Sequence, residues 1–184
     1  MRKVLVVAWY FPPWGGAGVQ RTVKHVKYLP LFGWQPVILT GPMPRAGLSD
    51  PTLAKDLDQA SVVRRTHALL PPAVLPWRVR HALTRWLLVS DEQAGWYPFA
   101  LAAASDLIKS GSIDAVYTTS TPYTAHLTGL RLKQRFDLPW IADFRDPWAD
   151  NAAIRPPTAW HRRRIGRWEQ QVINTADRVT VVSD

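Results

Sequence analysis

The chain has 184 residues, 47% hydrophobic and 20% charged, with a net charge of +9 and no cysteine. This length and apolar content suit one globular α/β domain and exclude disorder by composition, while the lack of cysteine excludes disulfide scaffolds and thiolate zinc sites and permits a reducing compartment. The positive balance attracts polyanions, whether nucleic acid, anionic lipid or phosphorylated substrates, and does not choose among them.

Met1-Arg2-Lys3 followed by Val4 to Ala8 has the outline of a signal peptide, but the apolar run is too short and meets Pro12-Pro13. No apolar stretch approaches the roughly 20 residues needed to span a bilayer. A cytoplasmic protein is expected. Val4 to Ala8 reads instead as a short strand buried on both faces. The loop after it holds Gly15, Gly16 and Gly18, and a helical pattern starts near Val19. Strand, glycine-rich turn and helix aim a helix N-terminus at whatever lies above the strand ends, which favours an anion; Gly15, Gly16 and Gly18 read as a phosphate-facing loop, with a plain flexible turn as the alternative. A dinucleotide fingerprint would put glycine directly after the strand and a carboxylate at the end of the next one. Tyr10 to Trp14 intervene and the second strand, Pro36 to Thr40, ends in Thr-Gly-Pro, so an NAD-dependent oxidoreductase is disfavoured.

Val19, Val23 and Val26 fall at helical spacing up to Gly33. Arg21, a cation in the first turn, is a candidate phosphate partner or a solvated charge. Ala60 to His67 is a weaker third strand. Trp77 to Val89 carries Val79, Leu83, Trp86 and Leu87 on one side and Arg78, His81 and Arg85 largely on another. Such a basic amphipathic helix either rests on an anionic membrane or covers the core. A helix over Ala94 to Lys109 follows.

Ile113 to Thr118 reads as the fourth strand, with Thr121 as N-cap and Pro122 opening a helix to about Phe136. Thr119, Ser120 and Tyr123 gather at that strand's carboxyl end as candidate donors to a sugar or phosphate. His126 lies one turn further on. The fifth strand, Leu138 to Phe144, delivers Asp143, Arg145, Asp146 and Trp148. Two carboxylates around an arginine suit a general base or an acceptor-orienting pair, because a guanidinium holds a carboxylate ionised; a structural Asp/Arg network is the alternative. Thr158 to Thr175 is a helix with a run from Arg162 to Arg167, a solvated face first and a lipid or nucleic-acid surface second. Arg178 to Val182 completes six strands of a doubly wound, mostly parallel, Rossmann-like sheet. Of ten tryptophans, Trp9, Trp14 and Trp148 fall near the expected cleft, either to stack on a sugar or to fill the core.

The segments FPPWGGAGVQR, DEQAGW, DAVYTTSTPYTAH, PWIADFRDPW and ADRVTVVS, in that order, resemble the N-terminal domain of family 4 glycosyltransferases of the GT-B fold, over nearly the whole chain. The resemblance implies that residues 1–184 form one half of a GT-B architecture, the acceptor side, with a C-terminal donor-binding domain not contained here; alone, the domain is expected to be inactive. It implies hexosyl transfer from a nucleotide-sugar co-substrate to a glycan or lipid-linked acceptor, with retention and with no metal or other cofactor, as in polysaccharide biosynthesis. It implies that Gly15 and Gly16 approach the donor diphosphate, and that Asp143, Arg145 and Asp146 face the acceptor. Many relatives have a histidine where Arg145 stands, and an arginine accepts no proton at ordinary pH, so Asp146 is the first candidate for the base and Asp143 the second. Peripheral contact with the anionic inner membrane face is a further expectation. The competing reading is a non-enzymatic polyanion-binding module using Arg162 to Arg167; nucleic acid is not the expected partner.

Overall fold

The computed structural model describes residues 1–43, 49–57, 62–71, 74–111, 113–151 and 154–182; for residues 56, 77, 80, 81 and 83 it describes the backbone alone. Six parallel strands form one sheet: β1 (Arg2–Val7), β2 (Trp34–Thr40), β3 (Val62–Arg65), β4 (Ala115–Thr119), β5 (Trp140–Phe144) and β6 (Arg178–Val181), in the order β3-β2-β1-β4-β5-β6. Between them run α1 (Ala17–Tyr28), α2 (Trp77–Leu87), α3 (Tyr97–Lys109), α4 (Thr124–Phe136) and α5 (Ala159–Thr175). The sheet builds outward in opposite directions from the β1/β4 pair. Open α/β sheets place ligands beyond the strand ends at such a reversal.

The two-residue period of β1 explains why the sheet is covered twice. Val4, Val6 and Ala8 pack with Val19, Val23 and Val26 of α1. Leu5, Val7 and Trp9 face the other way, into a larger core with Trp96, Ala100, Leu130, Trp140 and Ile165.

Several element boundaries depart from expectation. The first helix passes into a 3-10 turn at Leu29–Phe32, with Pro30 at its start, before Gly33 closes it at φ +79°. The third strand is shorter than expected, and its anticipated start at residues 60–61 lies outside the described residues. The helix expected from Ala94 opens as a 3-10 turn, Ala94–Trp96. Thr121 does not cap α4. That helix begins at Thr124, whose backbone N–H donates to Asp91 Oδ2 at 2.7 Å, so a carboxylate 33 positions upstream supplies the cap. The alternative in which α2 merely covers the core does not hold for its described apolar residues: Val79 is 45% exposed, Trp86 55% and Leu87 69%. The side chains of His81 and Leu83, expected on that helix's two sides, lie outside the described residues.

Candidate active site

The glycine loop follows from the backbone it must trace. Gly16, at φ +98° and ψ 168°, lies where a Cβ is disfavoured, and α1 starts at the next residue. The first turn of a helix leaves amides without i−4 acceptors; Val19 N–H turns back to the Gly16 carbonyl at 3.1 Å, and the loop brings the helix start and its positive dipole end to the carboxyl rim of β1. No acidic residue occupies that turn.

Arg21, one turn in, reaches across the rim to β5. Its Nη2 donates to Asp143 Oδ1 at 2.6 Å. Asp143 also accepts from Thr119 Oγ1 of β4 at 2.8 Å and from Thr180 Oγ1 of β6 at 2.7 Å. Burial opposes its charge, but hydrogen bonds from Thr180, Thr119 and Tyr117 and the Arg21 guanidinium outweigh that and hold its carboxyl below the usual value. Asp143 is therefore an ionised, fully enclosed hub joining α1 to three strands.

Arg145 makes a second bridge between the same places. Its Nη1 donates to the Gly18 carbonyl at 2.8 Å and Nη2 to the Thr121 carbonyl at 3.2 Å, while Nε donates to the Ser120 carbonyl. Its own N–H donates to Ser120 Oγ at 3.3 Å. Three backbone carbonyls thus take three of the guanidinium's five N–H donors. The arginine joins the start of α1 to the turn after β4, which puts the glycine loop and the Asp143–Asp146 corner side by side.

Beside this corner opens a cavity of about 640 Å³, bounded by Tyr10 after β1, Thr121 and Tyr123 after β4, Asp146 after β5, and Asp91. Asp146 is exposed at this cavity. The Tyr123 hydroxyl donates to the Pro147 carbonyl at 2.8 Å and accepts from Asn151 Nδ2 at 3.2 Å, and burial pushes its pKa up to about 12, so it is a neutral donor at ordinary pH. Burial pushes the Asp91 carboxyl up to about 6, although hydrogen bonds from Thr124 and the Gln93 amide pull the other way.

The candidate residues divide by orientation. Gly15, Gly16, Gly18, Arg21, Asp143, Arg145 and Asp146 share one rim, and Tyr123 and Asp146 line the cavity. Thr119 and Ser120 do not present their hydroxyls to an acceptor, because these are turned inward onto Asp143 and the Arg145 amide. His126 is also enclosed: its Nδ1 meets Thr118 Oγ1 at 2.8 Å, its ring lies 4.3 Å from that of Phe144, and burial depresses its pKa to about 3. Trp148 is buried and stacks on Tyr123 with ring centroids 4.8 Å apart, so it backs the cavity wall and does not face a sugar. Trp9 belongs to the core, and half-buried Trp14 donates from Nε1 to the Pro42 carbonyl at 3.2 Å. Sequence reasoning passed over Tyr10, Arg155 and His161, which line the cavity from distant parts of the chain, and assigned no role to Asp91. Only Asp91 carried a local signal, as the first residue of the DEQAGW segment.

The family model described as Glycosyltransferase Family 4 matches residues 18–184. No curated protein matches the chain. Among solved structures, Phytolacca americana apo UGT2 superposes with a TM-score of 0.63 at 14% identity, over 100% of this chain and 46% of that one. Arabidopsis thaliana UGT89C1 complexed with UDP-L-rhamnose follows at 0.55 and 11%, over 99% and 45%. The Streptomyces sp. SF2575 glycosyltransferase SsfS6, complexed with thymidine diphosphate, gives 0.52 and 16%, over 100% and 49%. At these identities the likeness is one of fold. The chain spans about half the length of each.

Proposed function

The chain belongs to glycosyltransferase family 4, and from that premise we propose that it forms the acceptor side of a retaining transferase that moves a hexosyl group from a nucleotide sugar to a glycan or lipid-linked acceptor. The observation that carries the reading is the Arg145 bridge, which holds a helix N-terminus suited to phosphate against a cavity with an exposed carboxylate. Nucleotides and nucleotide sugars bound to proteins of the same fold support the choice of donor. In the proposed transfer the acceptor oxygen bonds to the anomeric carbon on the same face from which the diphosphate departs, which keeps its configuration, the bond from that carbon to the diphosphate breaks, and the acceptor proton passes to Asp146. Amides of the Gly15–Gly16 loop then face the negative charge that grows on the diphosphate. Asp143 is less suited to take the proton, since Arg21 and two hydroxyls already occupy its oxygens. The chain's share of its structural neighbours' length supports a further domain of the whole protein as the holder of the nucleotide, without which this half is inactive.

The test is sugar transfer by the full-length protein carrying Asp146→Asn. A fall in kcat of about 10²- to 10⁴-fold is expected for loss of a general base. Activity retained within a few-fold would remove Asp146 from the role, and inversion of the product's anomeric carbon, read by NMR, would remove retention.

A further inference from the structure

The active-site cavity leaves a neighbouring depression unexplained. A groove of about 450 Å³ runs between α3, α4 and α5, lined by Tyr97, Leu127, Leu130 and Trp168, with exposed Arg131 and Arg164 beside them. The groove and the cavity share Leu88, Val89 and Ser90, so one short segment is a wall of both. That segment is anchored, because Ser90 Oγ meets Thr124 Oγ1 at 3.1 Å and Asp91 caps α4. A linear ligand that occupied both depressions would cross these residues. On the α2 side Leu87, 69% exposed, continues the groove's apolar lining, and Trp86 beside it is 55% exposed. Exposed apolar surface that runs on from a binding cavity marks a place where something apolar sits.

The charges on the same side complete the description of the occupant. Arg85 of α2 and Arg155, just before α5, are both exposed and line the cavity. Neither α2 nor residues 154–168 contain an acidic side chain; the carboxylates that line the cavity, Asp91, Glu92 and Asp146, come from other segments. We infer that the acceptor is an amphiphile with an anionic head and a hydrocarbon chain, its head at Arg85 and Arg155 over the cavity and its chain in the groove between α3, α4 and α5. This rests on the cavity being the acceptor site. A purely polar acceptor would leave the groove without a role.

The experiment is calorimetric titration of the full-length protein, without donor, with monomeric n-alkyl phosphates from methyl to dodecyl below their micellar concentrations, and with inorganic phosphate. Affinity should rise about two- to fourfold per added methylene until the groove is filled. Leu87→Glu, on the surface, and Leu127→Gln, in the groove, should flatten that rise. Arg85→Glu should weaken every chain length by a similar factor. Affinity indifferent to chain length would overturn the inference, as would a rise that survives both groove variants. Inorganic phosphate binding as well as dodecyl phosphate would show a headgroup site alone and would equally sink the chain site. None of these readouts needs sugar transfer, so a failed Asp146 assay and a failed chain-length series are separate results.

Discussion

A Cβ at Gly18 would stand 2.9 Å from Arg145 Nη1, closer than side chains normally approach, and that nitrogen already holds the Gly18 carbonyl. Two effects of Gly18→Ala therefore oppose each other. Alanine gains about 0.5–1 kcal/mol of helix propensity over glycine, while the added carbon pushes on a guanidinium fixed by three carbonyls. The push should win, with a net loss of about 1 kcal/mol in urea denaturation. In an Arg145→Ala background the clash is gone, and the same substitution should stabilise by about 0.5 kcal/mol. Additive effects would show that Arg145 does not lock the start of α1. At this scale the sequence was only partly readable. It put Asp143, Arg145 and Asp146 at a strand end, but not which carboxylate is enclosed, since that depends on Arg21, Thr119 and Thr180 arriving from other elements.

Among the elements, α4 depends on a residue outside itself. Asp91 accepts from both the N–H and the hydroxyl of Thr124, and its raised pKa fixes the sign of a pH effect. A carboxyl with a folded pKa near 6 and an unfolded value near 4 binds more protons in the native state between those limits. Its contribution thus falls as pH rises from about 4 to 6 and is level above, by about 3 kcal/mol in all. Asp91→Asn cannot titrate, so wild-type stability relative to the variant should fall by most of that amount between pH 4 and pH 7 in thermal melts. A gap constant with pH would mean that Asp91 is ionised throughout. Thr121→Ala should change stability by no more than about 0.5 kcal/mol, as suits a residue that caps nothing. The strands and the helix after the glycine loop were legible because burial imposes local periods on them. The start of α4 was not, because its cap comes from far along the chain, and neither was the exposed face of α2, whose apolar spacing is the same whether it meets a core or water.

At the scale of the whole molecule, charge and apolar exposure coincide. Trp86, Leu87 and Trp160 are exposed where the end of α2 meets the start of α5 through the His161 and Trp86 rings, 5.9 Å apart, and Arg162 and Arg163 lie exposed beside them. Among the described residues no helix is long and apolar enough to cross a membrane. If this face meets anionic lipid it does so as surface contact, with each basic side chain contributing about 1 kcal/mol. Flotation of the full-length protein with phosphatidylglycerol vesicles should be strong at low salt, and combined Arg85→Glu, Arg162→Glu and Arg163→Glu should cut it by at least tenfold; undiminished flotation would count against this face.

On the proposed reading, the Arg145 bridge also bears on how two substrates would communicate. One guanidinium grips backbone on both flanks of the β1/β4 reversal, so a ligand that shifts either flank alters the strain felt by the other. Such coupling runs equally in both directions: if a filled nucleotide pocket tightens the grip on the second substrate by some factor, that substrate tightens the grip on the nucleotide by the same factor. If the bridge carries that coupling, severing it should bring the factor toward one, measured as each ligand's affinity with and without the other.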